Sequence, residues 1–87
     1  MKRWSIIFKT LGNPNRLKII KLLKGGARVN VSGIAEDLKI SQKAVSKHLI
    51  ILHNLDVLHS AGSEGHVFYF INDSMPRDFK KVIDLLS

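Results

Sequence analysis

Apolar residues recur every three or four positions from Trp4 to Leu55, and past Asp56 that spacing stops. In its place stand Val57 to Ala61, the stretch Gly62-Ser63-Glu64-Gly65, and His66 to Ile71, rich in β-branched and aromatic side chains. A helical period of 3.6 and a strand period of 2 put side chains on incompatible faces, so the switch separates a helical part from a β-hairpin. Helical spacing resumes only at the end, where Phe79, Val82, Ile83 and Leu86 share one face.

Local breaks divide the helical part. Trp4, Ile7, Phe8 and Leu11 fall on one face of a first helix, from about residue 3 to 11. Asn13 is a good N-cap and Pro14 a good first helical residue, so a second helix runs to Leu23, where Gly25 or Gly26 takes the left-handed conformation. Asn30 caps a short third helix that buries Val31, Ile34, Ala35 and Leu38. After the tight Lys39-Ile40 link, Ser41 caps a fourth helix, which buries Val45, Leu49 and Leu52 and ends near Leu55. The hairpin then closes over a four-residue loop with Ala61 opposite His66, and Pro76 opens the last helix. Two short helices joined by about two residues, followed at once by a hairpin, make a helix-turn-helix with a wing. The expected fold is mainly α (α+β): a winged helix-turn-helix of about five helices and one β-hairpin. With 87 residues, below the roughly 100–150 of a typical domain, residues 1–87 form a single domain.

Charge narrows the partner. Fourteen Lys and Arg against seven Asp and Glu leave a net charge of +7, and residues 1–24 hold seven of the basic side chains and no acidic one. A hydrophobic content of 45% is too high for a disordered basic tail, so a folded basic domain that meets a polyanion is expected, nucleic acid before an anionic membrane. The longest unbroken apolar run, Val67 to Ile71, is far below the ~18 residues that span a bilayer. Lys9 and Gly12-Asn13-Pro14 interrupt any signal-peptide pattern, so the expected location is cytoplasmic, with no membrane partner. Without cysteine there is no disulfide, thiolate metal site or cysteine nucleophile.

From Leu11 to Ile71 the string LGNPNRLKIIKLLKGG, then IAEDLKISQKAVSKHLIIL, then a Gly-rich hairpin ending VFYFI, resembles the arsenic-repressor (ArsR) family of winged-helix regulators. Its most specific pieces are the asparagine-proline-x-arginine start and the run Ser41 to Leu49, close to the family's recognition helix. On that helix Gln42, Lys43, Ser46 and Lys47 lie opposite Val45, Leu49 and Leu52. An amide that pairs with adenine, a hydroxyl, and lysines for guanine or phosphate are what major-groove reading requires. Ser41, Arg16 and His66 complete the expected DNA-binding set, with Lys2, Arg3, Lys9, Lys18 and Lys21 available to phosphates. Arg16 has an internal ion-pair role as its alternative, and Ile50 either touches a thymine methyl or is simply exposed. The wing tip carries no lysine or arginine, unlike many members of the family, which leaves Ser63 and His66 as its contacts or a plain tight hairpin.

The resemblance also locates the family's metal sites. Asn30 and Ser32 stand where its thiolates would be, and residues 76–87 contain no histidine, so no metal and no cofactor is expected. His48 is expected packed and hydrogen-bonded, while His53, His59 and His66 are dispersed. Glu36 and Glu64 fall on different elements and no nucleophile or phosphate-binding motif is present, so the chain is not expected to be an enzyme.

The end helices offer more apolar surface than a small core needs. Trp4, Ile7, Phe8, Leu11, Phe79, Val82, Ile83 and Leu86 are therefore the expected dimer interface, with packing inside one chain as the alternative. The resemblance implies a two-fold dimer that spaces two recognition helices about 34 Å apart on a palindromic double-stranded DNA operator. The expected function is a dimeric, sequence-specific DNA-binding transcriptional regulator, a repressor not controlled by metal through the family's known sites, with the existence of an effector left open. The competing expectation is a winged-helix protein-interaction module with only non-specific polyanion contact.

Overall fold

A computed structural model describes residues 2–86. Helices α1 (Lys2–Leu11) and α2 (Pro14–Leu23) meet at Asn13, whose Oδ1 accepts from the backbone N–H of Asn15 and Arg16 at 3.0 and 3.2 Å. Gly25 and Gly26 both have positive φ, 92° and 93°, and reverse the chain into β1 (Val29–Asn30). Asn30 then caps α3 (Val31–Leu38), its Oδ1 accepting from Gly33 N–H at 2.8 Å. Lys39, at φ 58°, makes the left-handed step into α4 (Gln42–Asn54), which Ser41 caps through Ala44 N–H at 3.1 Å. Helix α4 ends as the sequence suggests: Asp56 takes φ 63° and its N–H donates to the His53 carbonyl at 3.0 Å.

The hairpin departs from the expected register. Strands β2 (Leu58–Ser63) and β3 (His66–Ile71) pair with Ser63 opposite His66 and Ala61 opposite Phe68, so the loop is the two-residue turn Glu64-Gly65. Both turn residues have positive φ, 52° and 81°, the backbone whose twist matches a right-handed strand pair, and this lengthens β2 by two residues at the tip. Among the described residues the helical count stands at five, but the sheet has three strands rather than two. β1 joins β3 antiparallel, with Val29 opposite Tyr69, in the order β1-β3-β2. Two residues are too few to show a period, which is why this strand is invisible in the pattern.

Helix α5 (Arg77–Leu86) begins one residue after Pro76. One cluster forms the core: Ile19, Ile20 and Leu23 of α2, Ile34 of α3 and Val45, Leu49 and Leu52 of α4 are all buried. Ile7 and Leu11 of α1 and Phe79 and Ile83 of α5 join it. Asn72 is buried and pins the end of β3 to the end of α4, its Nδ2 donating to the Asp56 carbonyl at 2.9 Å and its Oδ1 accepting from Ser74 N–H.

Candidate nucleic-acid interface

On α4 the buried stripe leaves the opposite arc to solvent. Gln42, Lys43 and Lys47 are exposed, Ser46 is half-buried, and Ser41 stands exposed at the cap. The side chains of Gln42, Lys43 and Lys47 make no hydrogen bond or ion pair among the described residues, so their donors and acceptors are available to a partner. Ile50, on the same arc, is 57% exposed. Since α4 is anchored by three residues of zero exposure, Val45, Leu49 and Leu52, the polar arc is carried on a rigid element.

Arg16 is placed elsewhere than expected. Its Nε donates to the Thr10 carbonyl at 2.8 Å, Nη2 to the Lys9 carbonyl at 3.3 Å, and Nη1 lies 3.4 Å from His48 Nδ1. The last carbonyls of α1 have no partner within their own helix, and a guanidinium from the first turn of α2 satisfies them. The residue thus ties α1, α2 and α4 together. In place of the internal ion pair that the sequence allowed, its partners are carbonyls and an imidazole. His48 is packed as expected. Burial, with the Arg16 charge second, lowers its pKa from the usual 6.5, so it stays neutral and can accept.

Arg3 is likewise engaged. It forms a two-pronged pair with Asp78 at 2.6 and 3.1 Å and sits 5.2 Å from the centre of the Phe79 ring, clamping α1 to α5. The hydrogen bond to Arg3 is the main cause holding the Asp78 pKa below its usual 3.8. No sequence signal connects two residues 75 positions apart. Lys2, Lys9, Lys18 and Lys21 remain exposed.

At the wing, His66 is exposed at the first position of β3, its ring 6.2 Å from Phe68, and Ser63 is its cross-strand neighbour. His59 and His66 lie on one face of the hairpin but opposite different partners, Phe70 and Ser63. Among the described residues no three histidine, aspartate or glutamate side chains form a metal-holding group. The Asn30 and Ser32 side chains serve the α3 cap instead, Ser32 Oγ donating to Asn30 Oδ1 at 3.2 Å. Among the described residues no helix is long and apolar enough to cross a membrane.

The eight residues expected at a dimer interface split into two groups. Ile7, Leu11, Phe79 and Ile83 are buried in the chain's own core, so the sequence reading is corrected for them: intramolecular packing has consumed them. Val82 is half-buried, while Trp4, Phe8 and Leu86 are exposed at 43%, 61% and 53%. The Trp4 and Phe8 rings stack on each other at 5.9 Å, and Ile6 and Leu85 extend the exposed apolar surface beyond the residues the sequence singled out.

Comparison with known proteins agrees with this geometry. The family model described as "Bacterial regulatory protein, arsR family" matches residues 13–60, from the α2 cap into β2. The chain is 35% identical over 80 residues to the HTH-type transcriptional regulator MJ1325 of Methanocaldococcus jannaschii, covering 92% of this chain and 90% of that protein. It is 35% identical over 72 residues to the transcriptional repressor SdpR of Bacillus subtilis, covering 83% and 79%. Among solved structures, HlyU of Vibrio cholerae superposes with a TM-score of 0.79 at 26% identity, covering 98% of this chain and 85% of that one. The repressor PagR of Bacillus anthracis superposes with a TM-score of 0.74 at 31% identity, covering 95% and 91%. With its exposed polar arc on α4, hairpin wing and these likenesses, the chain belongs to the arsR family of bacterial regulatory proteins, DNA-binding transcriptional regulators and not enzymes.

Proposed function

We propose that the chain is a homodimeric transcriptional repressor, working in the cytoplasm, that reads a palindromic DNA site with α4 in the major groove. The observation that carries this reading is the unpartnered arc of Gln42, Lys43 and Lys47, with Ser46 beside it, on a helix whose other face is wholly buried. Gln42 and Ser46 read base edges, Lys43 and Lys47 meet guanine or phosphate, and Ser63 and His66 reach the backbone from the wing. SdpR and PagR are named as transcriptional repressors, and a winged-helix neighbour from Mycobacterium bovis is described as homodimeric, which supports the same behaviour here. The exposed Trp4, Phe8, Leu85 and Leu86 form the surface that a second copy covers. Control by metal through a thiolate site is not part of the proposal, because Asn30 and Ser32 hold the α3 cap.

Selection of binding sites from a random duplex pool tests this reading. A palindromic consensus is expected. Gln42→Ala relaxes preference at one base pair at a cost of about 1–3 kcal/mol, and Lys47→Ala lowers the salt slope of binding by about one unit. A folded variant with alanine at 42, 43, 46 and 47 that binds the selected site normally refutes the groove assignment. Sedimentation of the intact protein tests the dimer: a strict monomer that still binds the palindrome tightly as one copy refutes it.

A further inference from the structure

A half-open cavity of about 570 Å³ lies where the C-terminal end of α2, the end of β3 and α5 meet. That volume falls in the range of roughly 300–1,000 Å³ typical of small-molecule sites. None of the proposed DNA-reading residues lines it. Gly25 and Gly26 turn the chain so that Lys24 and Arg28 both face it, together with Phe70, His59, Met75 and Ile83.

The chemistry of these walls is unusual for a solvated surface. The Arg28 guanidinium lies 4.0 Å over the Phe70 ring, and the His59 ring is tilted against the same phenyl group at 6.0 Å. A guanidinium presents its N–H groups as a rigid planar fork, the arrangement that matches a carboxylate, and contact with the ring face leaves those groups available. No carboxylate pairs with Arg28 or Lys24 among the described residues. Of the acidic residues on the rim, Asp84 is held by Lys80 at 3.1 Å, so Asp73 alone stands against two cations without an opposing lysine. Phe70 itself is half-buried, while Met75 and Ile83 supply apolar floor that packs on the core.

We propose that this cavity binds a small organic anion with one carboxylate and a flat apolar body. The carboxylate sits on the Arg28 fork beside Lys24, and the body lies against Phe70, Met75 and Ile83. The site is independent of the DNA-binding arc, and its test does not require DNA.

Naphthoate and its neutral analogue naphthamide, titrated separately into the isotope-labelled full chain and followed by NMR, test the proposal. Saturable shifts are expected at Gly25, Gly26, Arg28 and Phe70, with naphthoate binding about tenfold or more tighter than naphthamide, the usual scale of one charge-assisted hydrogen bond. Lys24→Gln with Arg28→Gln removes that preference while the melting temperature holds. Should this pair of changes lower the melting temperature, Arg28→Lys decides, since it keeps the charge and removes the fork: weakened naphthoate binding supports the site and full affinity overturns it. No saturable shift at millimolar naphthoate, equal affinity for naphthamide, or shifts confined to Trp4, Phe8 and Leu85 overturns the proposal.

Discussion

Replacing Arg16 with alanine removes three contacts at once: the 2.8 Å bond to the Thr10 carbonyl, the 3.3 Å bond to the Lys9 carbonyl and the 3.4 Å approach to His48. Only the first has strong geometry. A hydrogen bond from a charged donor contributes about 1.5–3 kcal/mol, and the half-buried position places this one in the lower part of that range, near 2 kcal/mol. In a domain of this size 1 kcal/mol shifts the melting temperature by roughly 4–8 °C, so Arg16→Ala lowers it by about 10 °C. His48 supplies a second readout. Its pKa lies below 6.5 through burial first and the Arg16 charge second, so removing Arg16 moves it up without restoring the full value. In the native chain the unfolded state holds more protons than the folded one between 6.5 and the lowered folded pKa, so stability falls as pH drops through that window. The window narrows in Arg16→Ala. Urea unfolding at a series of pH values, with NMR titration of the His48 ring, measures both effects. Unchanged stability together with a salt slope of DNA binding reduced by about one unit would show that Arg16 meets phosphate and that the internal tie is unimportant.

Asp56→Gly keeps both backbone bonds of the turn and relieves the cost of a left-handed non-glycine residue, so it is neutral or stabilising by up to about 1 kcal/mol in chemical denaturation. Gly33→Ala places a methyl group 2.8 Å from Val29 Cγ1 and 3.0 Å from the Asn30 Oδ1 that caps α3. It destabilises by about 1–2 kcal/mol despite the better helix propensity of alanine, and a rise in melting temperature would contradict the cap geometry. Asp78, with its pKa depressed by Arg3, contributes stability that is present above the usual carboxylate pKa and is lost as pH falls through the depressed value. Asp78→Asn should therefore flatten the acid limb of the unfolding profile, and an unchanged limb would show that the clamp carries no stability.

Local chemistry alone determined where the helices begin and end. Asn13, Asn30 and Ser41 cap α2, α3 and α4 because an oxygen on a short side chain reaches the free N–H groups of the first turn, a contact confined to three residues of sequence. The outward arc of Gln42, Lys43, Ser46 and Lys47 followed from helical phase in the same way. The hairpin turn is not fixed by local sequence. Gly62 and Gly65 both suit a loop, and only the pairing of β3 with β2 on one side and β1 on the other selects Glu64-Gly65 as the tip. Tertiary structure decided the fate of the long cations. Arg3 and Arg16 look like surface residues in the sequence, and they are claimed by a carboxylate 75 positions away and by the carbonyl end of a neighbouring helix. It also divided the apolar stripes of the end helices, drawing Ile7, Leu11, Phe79 and Ile83 inward and leaving Trp4, Phe8, Leu85 and Leu86 outside. A stripe is a property of one helix and its period, whereas burial depends on how close a second helix can approach, and residues such as Arg3, Asp78 and Phe79 set that approach only after the chain has folded.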